Sequence, residues 1–168
     1  TQLESKSLTH QLNQPNFGEK LLLWAMRLWF QEFKSNEYCH QALCQGLDFA
    51  GILNAYSPLD ELMSVLTSSA RREIKLNALG SYSISIDEHL LMDAVAFWMT
   101  NSATYKHQLL TLGLLPLGAA RRAERLLINI ANIFKDARHT IRRRHLVGNT
   151  SKQQVSGFAI EYLSATIH

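Results

Sequence analysis

The stretch LGAARRAERLLINIANIFKDARHTIRRR, residues 117–144, decides the fold class. On a wheel of about 100° per residue with Arg121 at zero, Ala123, Leu126, Leu127, Ile130, Ile133, Phe134, Ala137 and Ile141 share an arc of about 120°. Arg121, Arg125, Asn132, His139 and Arg143 share about 40° on the opposite side by the same geometry. The spacing predicts one long amphipathic helix over 117–144, apolar on one face and basic on the other.

The charge follows the same division. Seven of the ten arginines lie between Arg121 and Arg144. Residues 121–152 hold nine basic and two acidic groups, a net +7, whereas residues 1–120 hold eight basic and eleven acidic groups, a net −3. The overall +3 therefore describes a polarised chain. A basic ridge attracts anions, because arginine offers several donors in a planar fork. The candidate binding residues are Arg121, Arg125, Asn132, His139 and Arg143. The plainest reading is a solvated face whose last arginines complement the helix dipole; as a binding surface, the ridge suits an acidic protein partner or an anionic membrane surface first, and nucleic acid as the alternative. No helix-turn-helix, zinc-finger or RNA-recognition signature accompanies the ridge, and it lacks the aromatic residues on which bases stack.

Outward from this helix, the 168 residues fit one domain with a single core. Apolar residues make up 46% and charged residues 18%, a balance that is neither disordered nor membrane-like. The most apolar window, Leu21 to Phe33, is interrupted by Arg27, Gln31 and Glu32, and falls short of the ~20 apolar residues that a membrane crossing needs. Residues 1–17 carry no secretory-signal pattern. With only Cys39 and Cys44, poorly placed for a disulfide, a reducing, cytoplasmic setting is expected.

Further helices follow from caps and periodicity. Asn16 with Glu19 forms a capping-box pattern before an apolar run to Lys34, whose polar stripe is Lys20, Arg27, Gln31 and Lys34. Asn36 caps a second helix to about Asn54 that carries Gly46 and Gly51, glycines explained by close packing. Ser57-Pro58 with Asp60 and Glu61 starts a third, reaching about Ala70 with Arg71 and Arg72 at its end. Residues 73–85 alternate as a short extended segment or hairpin would around Gly80. Ser85 with Glu88 opens a helix to about Thr100. A shorter helix spans about 103–111. After a linker at 145–152, Val155, Phe158, Ala159, Tyr162 and Leu163 form the stripe of a short helix that needs a docking surface.

Other groupings are weaker. Cys39, His40 and Cys44 resemble metal ligands, but no second ligand pair completes a site, so no metal is expected. His89 and Asp93, spaced for an imidazole–carboxylate pair, lack a nucleophile in a recognisable context, so no catalytic residue is assigned. Trp24, Trp29 and Trp98 offer either packing or a pocket for a flat ligand. No phosphate loop or dinucleotide fingerprint occurs, and no cofactor is expected.

The combination LWAMRLW at 23–29, RREIKL at 71–76 and DEHLL at 87–91 resembles a family of small all-α proteobacterial proteins of unassigned function. The resemblance spans residues 17–138. It implies a bacterial cytoplasmic setting and carries over no functional residue.

The expected architecture is a single all-α domain, residues 1–144, of six or seven helices. Those at about 18–34 and 86–100 are central and buried. Residues 145–168 are a linker and a short amphipathic helix docking in cis or on a second chain. The expected role is a non-enzymatic regulatory or adaptor module that binds an acidic partner or itself. A nucleic-acid-binding protein and a small-molecule sensor with a tryptophan-lined interior are the alternatives.

Overall fold

The computed structural model describes residues 14–35, 40–100 and 113–143, and among them the chain is helical with no strand. Five α-helices follow in order: α1 (Phe17–Ser35), α2 (His40–Phe49), α3 (Tyr56–Ser69), α4 (Ile86–Met99) and α5 (Leu117–Asp136). A 3-10 turn at Leu53–Ala55 precedes α3. The helices expected at about 103–111 and 155–163 lie outside the described residues. Among the described residues the bundle has five helices; the expected six or seven count these two as well.

Two of the helix starts expected from capping boxes form as the sequence predicts. The Glu19 backbone N–H donates to Asn16 Oδ1 at 2.9 Å, and Glu19 Oε2 accepts from the Asn16 N–H at 2.7 Å. Ser85 and Glu88 repeat the exchange at the start of α4. The third expected start shifts. The helix begins at Tyr56, because the 3-10 turn runs straight into it and Ser57 makes no cap. Pro58 is tolerated there because the first amides of a helix lack intrahelical partners anyway.

Helix α5 lays its apolar face on α3 and α4. Ala123, Leu127, Ile130, Ala131 and Phe134 are all buried, each large apolar side chain contributing about 1.5–3 kcal/mol. Helix α1 buries nearly every position from Leu21 to Phe30 and touches α2, α3 and α4. Gly46 lets α2 approach it: a methyl group there would overlap the Trp24 ring. Gly51 has no such neighbour, and its role is conformational, with φ +73° in the turn that ends α2.

The expected long helix over 117–144 stops at Asp136. Arg138 takes a left-handed φ of 61°, and the turn closes with Arg138 N–H on the Lys135 carbonyl and His139 N–H on the Phe134 carbonyl. That is the paired-bond termination in which glycine is the usual left-handed residue, completed by contact between the flanking apolar side chains. Here the His139 and Phe134 rings meet at 6.1 Å.

Residues 139–143 then run back over the bundle as a strap. His139 Nε2–H donates to the Ala50 carbonyl at 2.7 Å, and Ile141 is buried. Arg142 donates to the buried Glu19 carboxylate and to the Gln14 carbonyl. The Thr140 backbone passes so close to α1 that only Gly18 leaves room for it.

Candidate functional site

The five candidate residues do not share one ridge. Arg121, Arg125 and Asn132 stand exposed on the outer face of α5, joined by Asn129. From Arg121 to Asn132 the stripe runs about 16 Å at 1.5 Å per residue. Among the described residues neither Arg121 nor Arg125 takes an ion pair or a hydrogen bond. Their neighbour Arg122 is spent on Glu61 of α3 at 2.6 Å.

His139 and Arg143 belong elsewhere, because the reversal at Arg138 takes them off the helix. His139 lies between Phe17 and Phe134, ring centroids 5.3 and 6.1 Å away, and its donated bond to Ala50 ties the strap to the turn after α2. Arg143 Nε lies 3.7 Å from Asp93 and its guanidinium sits over the Phe97 ring at 5.4 Å. Both are structural contacts of the strap. The wheel missed this because the apolar period continues through Ile141, which is buried by the strap rather than by the helix.

A second polar cluster lies at the start of α4. Arg27, read from the sequence as part of the polar stripe of α1, is buried at 6% exposure. Its Nε and Nη2 form a two-pronged bond to Glu88 at 2.7 and 2.9 Å. Its Nη1 and Nη2 also donate to the carbonyls of Ser81 and Ser83, each at 2.7 Å. Glu88 further accepts the backbone N–H groups of Asn77 and Ser85. Asp87 accepts from Arg72 and from the Lys75 N–H. Residues 70–85 thus form an irregular connection wrapped around buried charges; of the short extended segment or hairpin that the alternation suggests, no hairpin forms. The alternation in that segment reflects Ile74, Leu76 and Ile84 packing on the core, with no partner strand.

Burial pushes both carboxyls up, but it is outweighed. For Glu88 the bonds from Arg27, Ser85 and Asn77 bring the net pKa below the ordinary value. For Asp87 those from Arg72 and Lys75 do the same. A carboxylate with a folded pKa below its unfolded value stabilises the fold above that unfolded value, about 4, and loses the contribution as pH falls through the folded one. The expected result is that the connection loosens on acidification below about pH 4–5. Amide protection of Lys75 and Asn77, measured by hydrogen exchange against the core of α5, checks it; equal loss everywhere would count against a local origin.

The remaining groupings are dispersed. Asp93 faces Arg143. Cys44 Sγ lies 3.7 Å from His40 Nε2, and His40 Nδ1 lies 2.6 Å from the Tyr56 hydroxyl, while Cys39 lies outside the described residues. Among the described residues no three His, Cys, Asp or Glu gather as metal ligands, and no helix is long and apolar enough to cross a membrane. The tryptophans line no common pocket there. Trp24 packs on Gly46, Trp29 donates to Asp60 and stacks on Phe33, and Trp98 meets the edge of Phe97. An apolar hollow of about 20 Å³ between Leu62, Leu66, Leu91, Leu115 and Leu127 is hardly larger than one water.

A comparison with protein-family models, curated proteins and solved structures returns no match.

Proposed function

We propose that the protein is a non-enzymatic helical interaction module whose outer α5 face takes an acidic protein surface, with Arg121, Arg125 and Asn132 as the contact residues. The observation that carries this reading is the contrast between Arg122, neutralised by Glu61, and Arg121 and Arg125, exposed and without a partner among the described residues. A rigid helix packed on α3 and α4 holds these two arginines one turn apart, spacing suited to neighbouring carboxylates on a partner. The carboxylates that begin α4 are engaged in holding the fold, which supports a binding role over a catalytic one.

The test titrates labelled polyglutamate and labelled duplex DNA into the protein across a salt series. The expected outcome is polyglutamate binding that weakens by about ten-fold or more in the Arg121→Ala/Arg125→Ala variant. Its stability should stay within about 0.5 kcal/mol of the parent, since both side chains are on the surface. Tighter binding to the duplex, with a steep salt dependence lost in the same variant, would replace the reading by nucleic-acid recognition.

A further inference from the structure

The start of α2 brings a thiol and an imidazole together. His40 and Cys44 stand four residues apart, so one turn of helix puts both side chains on the same face. Cys44 Sγ lies 3.7 Å from His40 Nε2 and 4.0 Å from Nδ1. A second helix holds the imidazole. Its Nδ1 is 2.6 Å from the hydroxyl of Tyr56, the first residue of α3, and the two rings meet edge to face with centroids 4.6 Å apart. The 3-10 turn at Leu53–Ala55 runs straight into α3 and so delivers Tyr56 to that place.

Two features set this group apart from packing alone. Cys44 is half-buried, whereas a structural thiol is usually enclosed and inert. The base beside it is oriented by a third group, the arrangement that activates a nucleophile. With Nδ1–H donated to the Tyr56 oxygen, Nε2 carries the lone pair and accepts the thiol hydrogen. A contact of 3.7 Å is looser than a finished hydrogen bond, as is usual between base and nucleophile before a reagent arrives.

We propose that Cys44 is an oxidation site whose substrate is a small peroxide, with His40 taking the thiol proton and Tyr56 positioning the imidazole. The proton passes to His40 Nε2 as the sulfur attacks one oxygen of hydrogen peroxide. The S–O bond forms, the O–O bond breaks, and the departing hydroxide takes the proton from Nε2 and leaves as water. Sulfur is oxidised to the sulfenic acid and the peroxide is reduced. The half-buried sulfur admits only a small reagent, which favours a peroxide over bulkier electrophiles. This site uses none of the residues of the α5 face, so the two readings stand or fall separately.

The full chain, carrying Cys39→Ser so that a single thiol reports, is treated with hydrogen peroxide at neutral pH, and the sulfenic acid is trapped with dimedone and followed by mass spectrometry. Cys44 in the folded chain is expected to react at least about ten-fold faster than in the same chain unfolded in guanidinium chloride. His40→Gln should lose that advantage. Tyr56→Phe, which keeps the ring and removes the hydroxyl, should lose part of it. Added imidazole should speed both variants and leave the parent unchanged, a rescue that a purely structural role would not give. Equal rates in the folded and unfolded chains overturn the proposal, and so does a folded His40→Gln variant as fast as the parent. Should His40→Gln fail to fold, Tyr56→Phe decides by the same comparison: a rate equal to that of the parent overturns the assigned roles.

Discussion

Glu88→Ala is expected to lower the stability of the protein by about 3–5 kcal/mol, the usual consequence of leaving one member of a buried ion pair without the other. Glu88 is completely buried and Arg27 nearly so, and the substitution leaves the guanidinium desolvated with only carbonyl partners. It also strips the Asn77 and Ser85 amides of their acceptor. Replacing both partners, as in Arg27→Met/Glu88→Leu, should recover part of the loss, because no buried charge remains. The recovery stays incomplete, since the Ser81 and Ser83 carbonyls are then unpaired. Urea denaturation of the two single variants and the double variant measures the coupling. Additive losses would mean that Arg27 and Glu88 act independently, contrary to the geometry.

Gly18→Ala is the second large effect, and its sign is decided by backbone rather than side chain. In an exposed helical position the exchange would stabilise by about 1 kcal/mol. Here the new methyl carbon would stand 2.5 Å from the Thr140 carbonyl oxygen and 3.2 Å from its carbon and nitrogen. The strap cannot yield without drawing Arg142 away from Glu19, a completely buried carboxylate. The expected net result is destabilisation of about 1–3 kcal/mol, in the range of overpacked cores. Trypsin cleavage after Arg138 and Arg142 should speed up in parallel. A variant as stable as the parent, with unchanged cleavage, would show that the strap is not held against α1 as described.

The features legible in the sequence were those decided within a few residues. The Asn16–Glu19 and Ser85–Glu88 capping boxes, the apolar face of α5 and the glycine needed beneath Trp24 all depend on local spacing or local size. What escaped was decided by distant partners. Arg27 sits on a stripe with Lys20 and Lys34, and only the fold brings Glu88 to it. Residues 73–85 alternate like a strand, but the Lys75 and Asn77 amides go to buried carboxylates of α4. The end of α5 escaped for another reason: an arginine occupies the left-handed position where a glycine would have announced the stop. Of the candidate site, Arg121, Arg125 and Asn132 keep the predicted face, while His139 and Arg143 were assigned to it by a period that outlasts the helix.

The strap also joins two distant parts of the chain. Its contact between Arg142 and Glu19 joins positions 123 apart, twice the separation of 61 between Arg27 and Glu88. Docked, it ties the end of α5 to the first turn of α1, so the Arg142–Glu19 pair and the Ile141 contact open together. Opening it would bare the first turn of α1 around Gly18 and leave the buried Glu19 carboxylate without its arginine.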